Sequence, residues 1–256
     1  MGTLYDMHCH LGFAVNEADV LRDAAEAGGL QALSCTVSPA EYEEQAQALS
    51  PYPFARVALG LHPWWLADGR CGADAVERFC ELAPEARLIG EVGLELSARY
   101  AGAEARMRQV RGLERALSAC NQGAPGKLVS VHGVRATDEL LDLLEAAGTF
   151  ERHRVVFHWY SDTPEGLKRA VGLGCHFSVG SYMLETKRGR EYARIIPDER
   201  LLLETDGPSR AGKLWSADMW RAQLRLGLRE LARIRGVEEA ELAEGLAANS
   251  ARLLQA

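Results

Sequence analysis

The sequence predicts an α/β fold and, within that class, a closed (β/α)8 TIM barrel forming one domain over residues 1–256. Short apolar runs alternate with longer amphipathic ones along the chain, which implies parallel strands joined by right-handed crossovers. Eight apolar runs can be counted, and 256 residues is an ordinary length for such a barrel. An open doubly wound sheet is the alternative that this pattern leaves standing.

Thr3–His8 is the first expected strand. A helix follows over Asn16–Gly28, with Asn16 or Asp19 placed to cap its start and Gly28-Gly29 to end it. Leu30–Val37 is the second strand. Ser38-Pro39-Ala-Glu41 has the form of a helix start: a Ser cap, Pro in the first turn, then Glu. Phe54–Leu61 is the third strand, Asp74–Leu82 a helix and Arg87–Val92 the fourth strand. A long helical period runs over Gly102–Asn121. Lys127–His132 is the fifth strand, and Thr137–Ala147 is a helix with Asp138 and Glu139 in its first turn. Arg154–His158, Cys175–Val179 and Arg200–Glu204 complete the strands, separated by helices over Thr163–Leu173 and Glu185–Ile195. Helices over Trp215–Ile234 and Glu238–Leu254 close the chain, the first packing Met219, Trp220, Leu224, Leu228 and Leu231 against the barrel.

Composition narrows the function classes. A hydrophobic content of 47% is enough to build a sizeable core. No apolar run approaches the ~20 residues that span a bilayer, and the start of the chain lacks the layout of a signal peptide. A cytoplasmic protein without a membrane partner is expected, with a monomer favoured. The six cysteines are scattered without a CxxC pair, so small buried hydrophobes rather than disulfides are expected. The formal net charge of -7 argues against a protein that coats nucleic acid with positive charge. It leaves room for a site where metal ions supply that charge.

Chemistry in such barrels sits at the C-terminal ends of the strands. Metal-competent residues end several of the apolar runs: Asp6-Met-His8-Cys-His10, Gly60-Leu-His62-Pro-Trp64, Gly90-Glu91-Val-Gly93, Val131-His132-Gly133, Phe157-His158-Trp159 and Glu204-Thr-Asp206. Five of the seven histidines stand there. Side chains at i and i+2 of a strand face the same way, so His8 and His10 can reach one ion while Cys9 points elsewhere. His8, His10, Glu91, His132, His158 and Asp206 are six candidate ligands, more than one structural zinc needs. Two ions ~3.5–4 Å apart, bridged by a carboxylate, suit such a set.

At these residues the chain resembles the TatD family of metal-dependent hydrolases, amidohydrolase-like barrels whose characterised members are deoxyribonucleases. Asp6-Met-His8-Cys-His10 and Gly60-Leu-His62-Pro63 resemble its first two signatures. Ile89-Gly-Glu91-Val-Gly-Leu94 is similar to the motif Ile-Gly-Glu-x-Gly-Leu-Asp. His158-Trp-Tyr-Ser161 and Leu203-Glu-Thr-Asp206-Gly-Pro208 resemble two further motifs, and the order is kept over nearly the whole chain. The resemblance implies two divalent ions (magnesium, manganese or zinc). His8, His10, Glu91 and Asp206 would hold one; Glu91, His132 and His158 would hold the other, with Glu91 bridging. Asp206 and Glu91 would be catalytic, Asp206 orienting the attacking water and taking its proton. His62 would contact substrate phosphate or the water network. The chain departs from the family at Glu95, where Asp is usual, at Arg135, one place later than the expected arginine, and in the short Ser209-Arg-Ala-Gly-Lys213 link after Pro208.

Three functions stay open: a phosphodiesterase acting on DNA, a hydrolase of a small ester, lactone, amide or phosphate ester on the same site, and a catalytically silent binding protein. Trp64, Trp65, Trp159 and Tyr160 beside the motifs are read equally as base-stacking surfaces or as packing. His153 and His176 precede strands six and seven, away from the chemical end. They are expected on the surface or in local hydrogen bonds.

Overall fold

The computed structural model describes residues 2–255. Its eight strands are β1 (Leu4–Cys9), β2 (Leu30–Cys35), β3 (Ala55–Leu61), β4 (Leu88–Glu95), β5 (Leu128–Val134), β6 (Arg154–His158), β7 (His176–Val179) and β8 (Leu201–Leu203). They form one sheet in sequence order, and neighbours from β1 to β8 pair in parallel. An open doubly wound sheet would reverse its order at a switch point; this one does not. The ends meet at a seam. The Asp206 amide donates to His8 O at 2.9 Å, the His10 amide to Gly207 O at 2.9 Å, and the Thr205 amide to Asp6 Oδ1 at 2.9 Å.

Asp6 ties this seam together. Its carboxylate is fully buried and also accepts from the Thr205 hydroxyl at 2.5 Å and the Trp220 indole N–H at 2.6 Å. Burial pushes Asp6 up to about 7, against these hydrogen bonds, which favour the ionised form.

Helices surround the sheet, and most lie where periodicity places them. Pro39–Leu49 starts as expected: Ser38 Oγ accepts the Glu41 amide at 3.2 Å. Asn16 does precede the helix Glu17–Ala27, but its side chain does not cap it. Asn16 exchanges two hydrogen bonds with the Trp215 backbone instead, at 2.9 and 3.1 Å. The helix expected over Glu185–Ile195 is Lys187–Ile195, and a short unexpected helix, Ser181–Glu185, precedes it. Thr186 separates the two, because its hydroxyl takes the Gly189 amide and caps the second helix. In Ala217–Arg235, Trp220, Leu224, Leu228 and Leu231 are buried, while Met219 is 52% exposed. One residue before Trp220, it is turned about 100° from the inward stripe.

Two apolar layers result. Most of the core lies between sheet and helices. A smaller cluster fills the barrel with Met7, Leu33, Ala58, Leu128, Val156 and Leu202, and Leu253 and Leu254 of the last helix join it from below. Side chains alternate along a strand. The inward positions that place Leu128, Val156 and Leu202 in the interior therefore carry His132, His158 and Asp206 to the upper rim.

Candidate metal centre

Glu91 occupies the middle of the rim, 1% exposed. Local backbone irregularity aims it there. The register of β4 slips on both sides, between Leu59 and Leu61 of β3 and between Ile89 and Val92 opposite β5. The Glu91 amide then donates to Thr36 O at 2.9 Å. That approach leaves no room at Gly60, where a Cβ would lie 1.6 Å from Thr36 O. Gly93 holds φ at 145° beside His132 O, where a side chain would also clash. The glycines flanking these motifs thus serve close backbone contact.

The structure brings all six proposed ligands together around Glu91. One oxygen, Oε2, lies 3.4 Å from both His8 Nε2 and His10 Nε2. The other, Oε1, lies 2.6 Å from His132 Nδ1 and 2.9 Å from His158 Nε2. Asp206 Oδ1 stands 3.4 Å from His10 Nε2 and 3.9 Å from His8 Nε2. Asp206 holds a left-handed backbone (φ 51°), which Asp tolerates better than most residues.

The outer nitrogens fix which ring edge faces inward. His10 Nδ1–H donates to Cys35 O at 2.9 Å, and His132 Nε2–H donates to Glu95 Oε2 at 3.0 Å. Each ring therefore turns a lone pair toward the carboxylates, the usual support for a ligating imidazole. His8 Nδ1 meets Ser130 Oγ at 2.8 Å, while its buried Nε2 has no hydrogen-bond partner among the described residues. His62 differs. Its Nδ1 accepts the Trp64 amide at 3.1 Å, so the neutral ring carries its proton on Nε2, 3.2 Å from Glu91 Oε2. His62, Glu91 and His132 are spaced closely enough to hold an ion, but this tautomer makes His62 a donor.

Such a cluster needs positive charge between its acceptors. Two lone-pair bearers 2.6 Å apart, Glu91 Oε1 and His132 Nδ1, require a proton or a cation between them. Burial opposes charging His132, yet Glu91 and Glu95 raise it to about 9. His10 is raised in the same way by Asp206 and Glu91, again against burial. Burial would raise Glu91, but the surrounding imidazoles, His62 and His158 foremost, hold it well below the usual range. His8 is lowered to about 4, by burial and then by His158. Ligands about 2.1 Å from an ion stand roughly 3 to 3.5 Å apart, which matches the spacings of His8, His10, Glu91 and Asp206. The residues fit a divalent cation, and His8, His10 and Glu91 form one group that could hold it.

The surroundings give Glu95 a role and add two residues that sequence reasoning passed over, Phe13 and Arg70. Glu95 accepts from His132, from the Trp64 indole N–H at 3.0 Å and from the Ser97 amide at 3.0 Å. The longer acid at this position thus orients His132. A cleft of about 220 Å3 opens over Glu91, lined in addition by Phe13, Trp64, Trp65, Arg70 and Arg210. Arg70 stacks over the Trp65 ring at 4.4 Å, and Arg210 comes from the short link after Pro208. Arg135 is exposed with φ 53° and does not line the cleft. Tyr160 is packing, 1% exposed with its hydroxyl donating to Thr163 O at 2.6 Å. Glu204, in the same motif as Asp206, accepts the Trp159 amide and bonds Ser178; burial raises it well above the carboxylate range. His153 and His176 are both buried, contrary to a surface position. His153 has the expected local bonds, to the Lys127 amide and Asn121 Oδ1; His176 does not.

An eight-stranded parallel barrel with imidazoles and carboxylates gathered at its C-terminal rim defines the class: a metal-dependent hydrolase barrel. The family model described as "TatD related DNase" matches residues 5–255, and the chain belongs to that family. The 3'-5' ssDNA/RNA exonuclease TatD of Escherichia fergusonii is 28% identical over 202 residues, 77% of this chain and 74% of that protein. Human deoxyribonuclease TATDN3 is 25% identical over 268 residues, 98% and 94% of the two chains. Among solved structures, the TatD homologue YJJV of Escherichia coli superposes with a TM-score of 0.81 at 24% identity, covering 98% of this chain and 97% of its own.

Proposed function

We propose that the protein is a metal-dependent phosphodiesterase acting on DNA. One observation carries this reading: the two oxygens of Glu91 face separate sets of imidazoles, Oε2 His8 and His10 with His62 beside them, and Oε1 His132 and His158. His8, His10, Glu91 and Asp206 would hold one divalent cation, and Glu91, His132 and His158 a second. When bound, such cations neutralise charge on a phosphoryl group and lower the pKa of water. Asp206, at the edge of the cleft, orients the attacking water and takes its proton. His62 donates from Nε2 to a substrate oxygen. Arg210 meets a neighbouring phosphate, whereas the Arg70 guanidinium is paired with Asp68; Trp64, 40% exposed, offers a face on which a base can stack. Further support comes from the nuclease names of the relatives.

A second reading is a hydrolase of a small ester or phosphate ester. The cleft favours it in one respect: about 220 Å3 is below the ~300–1,000 Å3 usual for ligand pockets. The test is elemental analysis of the purified protein, then assays on single-stranded DNA and a panel of small esters with magnesium, manganese or zinc. Release of nucleotides from DNA supports the first reading. Turnover of small esters alone selects the second, and protein that neither retains nor responds to a metal defeats both.

A further inference from the structure

A larger cavity, about 790 Å3, opens at the opposite end of the barrel, where β6, β7 and β8 begin and the last helix crosses beneath them. Arg154 starts β6 and His158 ends it, so the cavity and the metal centre are roughly 13 Å apart along that strand.

The walls of this cavity are cationic. Arg154, Arg200 and Arg252 line it, with Glu199 as its one acidic residue. Glu199 is exposed. Arg200 and Arg252 spend a donor each on Gly174 O and Asn249 Oδ1; the Arg154 side chain makes no hydrogen bond or ion pair among the described residues. His176 lines the same cavity, 8% exposed, and its buried Nδ1 has no partner among the described residues. Burial first, and then the three arginines around it, depress His176 to about 4. Three guanidiniums that no carboxylate pairs among the described residues, gathered round one imidazole, leave the cavity wall incomplete without an anion. Nearby Lys127 shows the contrast: it is buried, but its ammonium donates to Pro84 O at 2.8 Å and Ala86 O at 2.7 Å.

We infer that this floor cavity binds a phosphomonoester carrying an apolar body, of the nucleoside monophosphate class. Planar guanidinium forks match phosphate oxygens, and three of them suit a dianion better than a single carboxylate. The volume exceeds what a bare inorganic ion fills and lies within the range of organic ligands. Phe150 and Leu173 supply an apolar wall for the remainder. The inference does not depend on what the rim hydrolyses.

Photo-crosslinking tests it. Metal-loaded protein is irradiated with 8-azidoadenosine 5′-monophosphate, and labelled peptides are mapped. Label is expected in peptides containing Phe150, Leu173 or Leu253, competed strongly by deoxyadenosine monophosphate, weakly by inorganic phosphate and not by adenosine. Arg154→Gln, which breaks no bond in the structure, should weaken that labelling about tenfold, the loss expected for one charged contact. Arg154→Gln with Arg252→Gln should abolish it, with rim turnover unchanged in both. Label confined to rim peptides, floor labelling that survives the double variant, or competition by adenosine would overturn the site. Equal competition by inorganic phosphate would overturn the apolar body.

Discussion

The two ends of the barrel bury histidines in opposite company. At the rim, His10 and His132 face carboxylates and are drawn toward the charged form. At the floor, His176 faces arginines and is held neutral down to about 4. All three are at least nine-tenths buried, so burial alone does not separate them; the sign of the neighbouring charge does. The rim is built to receive cations and the floor to receive an anion.

Glu91→Gln should break the rim most severely. It removes the charge that faces both imidazole pairs, and elemental analysis should find the ions lost with a fall in turnover of about 10⁴-fold. Asp206→Asn should keep the fold and bound metal, yet lower kcat about 10³-fold, the scale of a missing general base; wild-type rates with metal retained would remove Asp206 from the mechanism. Glu95→Ala should cost between about 10- and 100-fold in metal affinity, as for other groups that orient a ligating imidazole; titration with a metal indicator measures it. Protons held at His10 and His132 must leave when a cation enters. Metal affinity should therefore climb about tenfold per pH unit per displaced proton up to about 9, and calorimetry in buffers of different ionisation enthalpy counts those protons.

The floor gives the smallest effect and the opposite sign. His176 titrates at about 4 in the folded chain and at 6.5 when unfolded. Between those values the unfolded chain binds a proton that the folded chain refuses. Stability therefore falls as pH drops through this window, by about 1 kcal/mol per unit. His176→Gln should flatten that slope in denaturant titrations without ligand, and an unchanged slope would show that His176 is not its source.

The rim was legible in the sequence because strands deliver ligands at period two. Arg154–His158 has the expected bounds, and the His8-x-His10 pair faces one centre. What escaped depends on contacts between distant segments. Glu95 reads as a mismatched motif residue until Trp64 and His132 are seen to bond it. Arg70 and Arg210 reach the cleft only through the folding of two loops. The helix Pro63–Ala67, started by His62 with Pro at its first position, was hidden because Trp64 and Trp65 read as rim aromatics. Burial of His153 and His176 could not be read from their positions where β6 and β7 begin, since the last helix, far along the chain, packs at that end.

The seam between β1 and β8 sets when this centre can exist. His8 and His10 belong to the first strand, while Asp206 follows the last and is held to it by the bond from its amide to His8 O. During synthesis, a chain still short of its eighth strand carries five of the six donors, two of them on β1, but no closed ring on which to gather them. The six donors therefore meet in a single late event, after the residues that follow β8 have been added.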